Sequence, residues 1–221
     1  MAVKGEVLRI DLHVHTAYSH DGFTTLEQLA GACRRRGLNG LAITDHDTLE
    51  AALLCQKKLP LQVIVGEEVT TASGHLIGLF LKYWIPPGLS VPETIRRIRD
   101  QGGLVYLPHP FDRVRQGYID EGELASVARD IDIVEVFNSR NYFQRANVQA
   151  AHYARRHAKL RAVGSDAHVP SEVGRSYVEM QPFTEAADFL SNLRNIRLHT
   201  RKTSLMRRGL IKLRKKWAGI S

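Results

Sequence analysis

Histidines and carboxylates recur along this chain at the ends of short apolar stretches. Six of the ten histidines lie in five such motifs, at positions 13, 15, 46, 75, 109 and 168. Imidazole and carboxylate groups bind divalent metals through nitrogen and oxygen, and no cysteine lies within these motifs. The sequence therefore predicts a metal site with N and O ligands, suited to Zn, Mn or Fe.

Two of the motifs place a pair of candidate ligands on one face of a strand. His13 and His15 are separated by one residue, and so are Asp166 and His168. Side chains at positions i and i+2 of a strand point to the same side of the sheet. Each pair can therefore reach one ion or two adjacent ions.

Single candidates follow other apolar segments. Asp21 lies in a turn after the first histidine pair, with His20 as a rival ligand. Glu67 ends the predicted strand 61–67, where a carboxylate can bridge two metals, and strand parity favours it over the neighbouring Glu68. The remaining single candidates are His46, His75 and His109, the last of which lies between two prolines.

The candidate set is larger than one ion requires. Protein zinc sites have about four ligands, whereas six histidines and three carboxylates (Asp21, Glu67 and Asp166) are available here. We therefore expect two or three divalent ions.

The ligands must be positioned by strands that end at a common edge. Strand and helix patterns alternate about seven times, which predicts an α/β fold with a parallel sheet, open or closed into a barrel. Thr24 and Glu27 have the spacing of a capping box before a helix that ends at Gly37, and Ser90 and Glu93 repeat the spacing. In a barrel of this kind, residues at the strand ends on one rim converge on a single cavity.

The chain of 221 residues is 43% hydrophobic and 24% charged, which suits one globular domain. We predict a single domain over residues 1–200 and a basic tail or helix over 201–221. The net charge of +8 comes from this tail, which contains eight Lys or Arg residues and no acid. The tail could contact RNA or a membrane surface, or it could pack on the barrel with a solvated basic face.

The sequence also predicts where the protein resides. Its two cysteines, Cys33 and Cys55, fall within helical patterns and form no disulfide framework. No apolar run approaches the length of a membrane span, and no signal peptide precedes His13. We therefore expect a cytoplasmic protein without a transmembrane segment.

Taken in order, these motifs resemble those of the polymerase and histidinol phosphatase (PHP) family of phosphoesterases, especially its small bacterial members that act on nucleotides. The resemblance extends from Val7 to about Val178 and implies a distorted (β/α)7 TIM-like barrel with three metals. The implied ligands are His13, His15, Glu67 and Asp166 for the first metal, Glu67, His75 and His109 for the second, and Asp21, His46 and His168 for the third.

The resemblance implies a metal-dependent phosphoesterase that hydrolyses small phosphate esters with hydroxide activated by the metals. Nucleotide-type phosphomonoesters, such as nucleoside 3′,5′-bisphosphates, are the expected substrates, and a short RNA end is another candidate. The chain has no room for the extra helical lobe of the nucleotide-acting members, so a more open pocket is expected.

Phosphoryl transfer also needs positive side chains around the phosphate. Arg113 is the candidate for a catalytic cation, and Asp45 is the candidate for a proton shuttle to the leaving group. The candidate substrate contacts are Arg113, Arg115, Asn138, Arg140, Arg175 and Glu68.

Two other functions fit parts of the pattern. A metal-dependent amidohydrolase also begins with His-x-His on a barrel strand, but such enzymes more often have a lysine or a lone aspartate late in the chain than the Asp-x-His pair found here. Alternatively, the metals only stabilise the fold, and the chain is an accessory or nucleic-acid-binding module, an idea that the basic tail supports.

Overall fold

The structure is a computed structural model that describes residues 7–115 and 117–204. Strands and helices alternate through most of this part of the chain. The elements are β1 (Leu8–Val14), α1 (Leu26–Arg36), β2 (Gly40–Ile43), α2 (Glu50–Lys58), β3 (Gln62–Thr71), β4 (Gly74–Leu79), α3 (Val91–Asp100), β5 (Leu104–Leu107), α4 (Glu121–Ser126), β6 (Ile133–Asn138), α5 (Gln144–Arg156), β7 (Leu160–Gly164), β8 (Tyr177–Met180), α6 (Ala186–Asn192), a 3₁₀ turn (Leu193–Asn195) and β9 (Arg197–His199).

The nine strands form one sheet in the order β7-β6-β5-β4-β3-β2-β1-β8-β9. The sheet curls until β1 meets the end of β7, where Val14 bridges to Ala167 and the amide of Asp166 donates to the His13 carbonyl at 2.8 Å. The seven strands β1–β7 therefore form a nearly closed barrel, which confirms the predicted distorted TIM-like fold. Strand β8 pairs antiparallel with β1 and also carries β9.

The barrel departs from the expected parallel sheet at β4. This strand is antiparallel to both of its neighbours, β3 and β5. Only Ala72 and Ser73 separate β3 from β4, and a connection this short can join antiparallel strands but not parallel ones. The hairpin also lengthens β3 to Thr71, beyond its predicted end at Glu67.

The helix termini largely follow the predicted signals. The capping box of α1 lies one residue later than predicted, because Thr25 accepts from the amide of Gln28 and the Gln28 side chain accepts from the amide of Thr25. Gly37 ends α1 with φ of 65°, a left-handed conformation that glycine adopts without a steric penalty. Ser90 caps α3 as expected, accepting from the amide of Glu93 at 3.3 Å.

The core lies between the barrel and its helices, and β1 shows how the sequence produces it. Leu12 and Val14 are completely buried among the apolar side chains. The alternate residues Asp11 and His13 are equally buried but polar, and they face the other side of the strand. The same alternation therefore builds the apolar core and delivers polar side chains to the barrel interior.

Other expectations concern location and the chain end. Among the residues that the structure describes, no helix is long and apolar enough to cross a membrane. Cys33 and Cys55 are buried and form no disulfide. The predicted basic tail or helix lies outside the described residues from position 205 onward. The single domain over 1–200 and the cytoplasmic location stay predictions.

Candidate metal centre

Nine side chains gather at the carboxyl-terminal rim of the barrel. They form four overlapping groups whose potential ligand atoms lie within 4.8 Å of one another: His15, Asp21, His46 and His168; His13, His109 and Asp166; His13, His15 and Glu68; and His46, Glu68 and His75. We call these nine residues the metal cluster. Eight of them are ligands predicted from the sequence, and the ninth is Glu68.

Glu68 lies at the centre of the metal cluster. Its Oε2 is 2.9 Å from Nε2 of His13, and its Oε1 is 2.9 Å from both Nδ1 of His75 and Nε2 of His109. The side chain is 1% exposed. A carboxylate that reaches three imidazoles with its two oxygens is in the position expected of a ligand shared between ions.

The predicted bridging residue, Glu67, points the other way. Its Oε2 accepts a hydrogen bond from the amide of Ile85 at 3.1 Å, and its Oε1 is buried without a partner among the described residues. Burial raises the pKa of Glu67 to about 8. Because β3 continues past both glutamates, adjacent residues face opposite sides, and Glu68 rather than Glu67 lies among the histidines.

The hairpin explains why Glu68 faces the histidines. Thr70 and His75 are paired across β3 and β4, so their side chains share a face. Thr70 is two residues from Glu68 and lies on that same face, which brings Glu68 and His75 together. His46 lies in the segment that follows β2, and an isolated parallel β-bridge places it next to Glu68.

Asp21 lies at the other end of the metal cluster. Its Oδ2 is 2.6 Å from Nε2 of His168 and 4.0 Å from Nε2 of His46. His20, the rival ligand, is exposed and belongs to none of the four groups. The turn after β1 therefore brings Asp21 back over the strand end, as the sequence predicts.

The charge states of these side chains suit metal binding. Burial alone would raise the pKa of Glu68, but His46 and His13 outweigh it and hold that pKa well below the usual range. Burial lowers the pKa of His46 to about 4. Burial, followed by the nearby Arg140, lowers the pKa of His168 to about 3. The carboxylate is therefore ionised and these two imidazoles are neutral, the forms in which they coordinate metals.

His13 provides a test of whether the cluster fits a cation. Burial would lower the pKa of His13, but Glu135, Glu68 and Asp166 outweigh it and raise this pKa well above the usual value. Its Nε2 also lies 3.1 Å from Nε2 of His15, with both nitrogens close to Oε2 of Glu68. Positive charge is thus favoured where several lone pairs converge, and divalent metals fit that environment.

The donor set indicates which kind of ion would fit. The potential ligand atoms that lie close together are imidazole nitrogens and carboxylate oxygens, with no thiolate in any of the four groups. Such donors suit hard or borderline divalent ions.

Glu135, in the middle of β6, was missed by the sequence reasoning. It is completely buried, and its Oε1 lies 3.0 Å from Nδ1 of His13. Its Oε2 accepts from the amide of His109 at 2.7 Å and from the amide side chain of Asn138 at 2.9 Å. Its detectable signal was a charged residue within the apolar strand sequence IVEVFN, which requires a buried partner.

The space for Glu135 depends on a glycine. A Cβ atom on Gly164 would come within 2.4 Å of both Oε1 of Glu135 and the Cβ of His13. The end of β7 therefore has room only for hydrogen at this position, and the contact between Glu135 and His13 depends on it.

Asp45, predicted to shuttle a proton, has a different environment. Its Oδ1 accepts from the amide of Thr16 at 2.5 Å, and its Oδ2 accepts from the Thr16 hydroxyl at 2.7 Å. The carboxylate is completely buried. With both oxygens engaged by one residue, Asp45 ties the ends of β1 and β2 together and is poorly placed to deliver protons.

Two of the predicted arginines reach the metal cluster. The guanidinium of Arg115 forms an ion pair with Asp166 and a second one with Asp112 at 3.3 Å. Nη1 of Arg140 lies 3.4 Å from the carbonyl oxygen of Asp166. The side-chain amide of Asn138 donates to Oδ2 of Asp166 at 3.1 Å and so helps to fix the orientation of this predicted ligand.

The other two predicted arginines are engaged elsewhere. Arg113 pairs with Glu121 and lies over the Tyr118 ring, with its side chain 65% exposed. This position outside the metal cluster does not suit the predicted catalytic contact. Arg175 is largely buried, and its Nη2 donates to the carbonyl oxygen of Lys202 at 2.5 Å.

The backbone at the rim contains unusual conformations. His109 has φ of 29° between its two prolines, and Asp166 has φ of 53°. Positive φ is uncommon for residues other than glycine and tends to occur where surrounding structure fixes a functional side chain. Both residues are members of the metal cluster.

Comparisons with known proteins agree with this geometry. A family model described as PHP-associated matches residues 144–198. An uncharacterized protein of Methanocaldococcus jannaschii is 36% identical over 191 residues, which cover 83% of this chain and 76% of that relative. A phosphoribosyl 1,2-cyclic phosphate 1,2-diphosphodiesterase of Eggerthella lenta is 38% identical over 85 residues, which cover 34% of this chain and 32% of that enzyme.

A solved structure shares the fold. A two-domain protein from Bacteroides vulgatus, containing a predicted PHP-like metal-dependent phosphoesterase, matches with a TM-score of 0.70 at 18% identity. The match covers 89% of this chain and 65% of the Bacteroides chain, so this chain spans just under two thirds of that protein. Motif order, relatives and fold thus agree, and the chain belongs to the PHP family of metal-dependent phosphoesterases.

Proposed function

We propose that the chain hydrolyses small phosphate esters at the metal cluster, with nucleotide-type phosphomonoesters such as nucleoside 3′,5′-bisphosphates as substrates. The observation that carries the proposal is the convergence of nine N and O ligand side chains in four overlapping groups. Two or three divalent ions would lower the pKa of water to near neutrality and offset negative charge on the phosphoryl oxygens.

The family resemblance, with Glu68 in place of Glu67, suggests which residues would hold each ion. The sets are His13, His15, Glu68 and Asp166 for the first, Glu68, His75 and His109 for the second, and Asp21, His46 and His168 for the third. Contacts of Glu68 with His13, His75 and His109, and of Asp21 with His168, support these sets. Glu135 would fix the ring of His13 through Nδ1, leaving Nε2 directed into the cluster.

Arg115 and Arg140 would orient the phosphate. Both guanidinium groups lie beside Asp166 at the rim, and each side chain is less than one fifth exposed. Partial burial weakens screening by water, so a cation here stabilises phosphate charge more than a surface cation would. Asn138 and Asp112 hold these arginines in place, since the Asn138 side-chain oxygen accepts from the amide of Arg140 at 2.8 Å and Asp112 pairs with Arg115.

The test combines metal content with ester hydrolysis by the full-length chain, measured as phosphate released from monoesters and as ring opening of a cyclic diester followed by chromatography. The panel contains a nucleoside 5′-monophosphate, a 3′,5′-bisphosphate, an RNA 5′ end and a cyclic phosphodiester, because the Eggerthella relative is named for a cyclic phosphate. We expect two or three metals per chain by mass spectrometry and phosphate release that His13→Ala abolishes.

His20→Ala is the matched control, since His20 is exposed and lies outside the four groups. It should retain both metal and activity. Full metal occupancy without hydrolysis of any ester would contradict the proposal, and turnover of an amide in the same panel would instead favour an amidohydrolase.

A further inference from the structure

A groove lies beside the metal cluster and extends between α4 and α5. It consists of two adjoining cavities of about 480 and 800 Å³ that share Phe111, Arg145 and Gln149 as lining residues. Its outer part is lined also by His152, Tyr153 and Arg156. We call this feature the α4–α5 groove.

The groove begins one side chain away from the metal cluster. Asp112 lines its inner cavity and accepts from the amide of Tyr142 at 3.0 Å. The same carboxylate pairs with Arg115, whose guanidinium also binds Asp166. A single guanidinium group therefore separates the wall of the groove from a predicted metal ligand.

The groove carries unbalanced positive charge. Arg113 and Glu121 both line it, but they pair with each other. Arg145 and Arg156 also line it, and within residues 7–115 and 117–204 neither side chain forms a hydrogen bond or an ion pair. The 30 residues from 136 to 165, which include all of α5, contain six Lys or Arg and no acid.

Aromatic rings accompany these cations. Phe143 lines the inner cavity with 65% of its surface exposed. In the outer cavity, the Tyr153 ring lies 5.7 Å from Phe111 and 4.4 Å from His157, and the buried Tyr153 hydroxyl has no hydrogen-bond partner among the described residues. The groove thus offers aromatic side chains as well as charge.

One face of α5 supplies the cationic wall. Arg145, Gln149, His152 and Arg156 follow the spacing i, i+4, i+7 and i+11, which places them along one side of the helix. At about 1.5 Å per residue, the two arginines are separated by about 16 Å along the helix axis. Arg155, the neighbour of Arg156, is exposed but does not line the groove.

We propose that the α4–α5 groove binds single-stranded nucleic acid, so that the substrate is a polynucleotide end whose terminal phosphate reaches the metal cluster. This inference rests on the proposed function and specifies its substrate class. Single strands are held by cations that follow the phosphates and by aromatic rings on which bases stack. Both features occur here along a groove whose inner cavity is lined by Asp112, the partner of Arg115 at the rim of the metal cluster.

The experiment measures fluorescence anisotropy of a labelled 12-nucleotide single strand with the full-length chain over a range of salt concentrations, and strand integrity is checked on a gel. The double variant Arg145→Ala, Arg156→Ala should weaken binding at least tenfold. The slope of log K against log salt should fall by about 1.4, since each phosphate contact in a single strand contributes about 0.7.

Arg155→Ala is compared with the single variant Arg156→Ala, because each removes one charge from the same helix and only Arg156 lines the groove. Arg155→Ala should change the Kd less than twofold and less than Arg156→Ala does. A second control replaces Lys212, Lys215 and Lys216 with alanine in the full-length chain, which tests whether the strand binds through the basic tail.

Three outcomes would overturn the inference: no binding of the strand at low salt, equal losses in Arg156→Ala and Arg155→Ala, or loss only in the tail variant. Phosphate release from a small ester, measured with the same wild-type preparation, tests the proposed function separately. Strand binding without any hydrolysis would refute the proposed function while leaving the groove as a nucleic-acid site.

Discussion

The two faces of β3 place neighbouring glutamates in opposite environments. On the barrel face, Glu68 touches three imidazoles and has a pKa well below its usual range because His46 and His13 outweigh burial. On the other face, Glu67 accepts one amide hydrogen bond from Ile85, and burial raises its pKa to about 8. Both side chains are almost completely buried, so the groups in contact with each carboxyl group decide which of the two is ionised.

This difference shows what identifies a ligand in a buried barrel. The sequence GEEV offers two carboxylates one position apart, and both are almost completely buried. The two glutamates differ only in the face of β3 on which the side chain lies. A shift of one residue in the register of the strand would exchange the two faces. Substitution of either glutamate therefore distinguishes the two environments.

Glu68→Gln should have the largest effect. The substitution retains the size of the side chain but removes the negative charge and one of the two acceptor oxygens that face His13, His75 and His109. We expect metal affinity to fall by more than about 100-fold, beyond the range for loss of an outer-shell partner. Chelator competition measures the affinity, and wild-type metal content in this variant would remove Glu68 from the ligand set.

The sequence predicted most of the metal cluster because its members follow strands. His13, His15, His46, His109 and His168 lie at or just after a strand end, where local patterns suffice. The structure places Glu68, and not Glu67, among the imidazoles; the end of β3 was predicted at Glu67, and the length of that strand depends on pairing with β4. Pairing is a tertiary property that a single strand sequence does not reveal.

The fold was predictable to a similar degree. Alternating patterns predicted an α/β fold with a parallel sheet and most of its elements, the family resemblance implied the barrel, and β5 has the predicted bounds, Leu104–Leu107. A strand was predicted near β4, but its antiparallel direction and the added strands β8 and β9 were not. The two outer strands are only four and three residues long, so their patterns are too short to separate from loops.

Arg115→Ala tests the cations on the barrel face of the rim. Loss of a buried donor aimed at developing charge costs about 100-fold or more in turnover, and we expect kcat/KM to fall by that amount. Arg113→Ala is the control on the same loop, since its side chain is 65% exposed and paired with Glu121. The kcat/KM of Arg113→Ala should stay within about twofold of wild type. Equal losses in both variants would show that the loop acts through overall charge.

Glu135→Gln tests the support behind the metal cluster. Glu135 accepts from three donors: the His13 ring, the amide of His109 and the side chain of Asn138. Glutamine has one acceptor oxygen, so at least one of these contacts is lost and the ring of His13 is released. We expect metal affinity to fall about 10- to 100-fold, the range for outer-shell partners of ligands. Unchanged affinity in a folded variant would mean that packing alone orients His13.

Glu67→Gln should have the smallest effect, although Glu67 is the neighbour of Glu68, whose substitution should have the largest. Burial already favours the neutral form of Glu67 at neutral pH, because its pKa is raised to about 8. A glutamine retains a side-chain oxygen to accept from the amide of Ile85, and no contact with the metal cluster is removed. Metal affinity and kcat/KM should therefore remain within about twofold of wild type, in the range of substitutions without a destabilising mechanism. A loss comparable to that of Glu68→Gln would show that both faces of β3 contribute to the metal centre, and the distinction drawn between the two glutamates would be wrong.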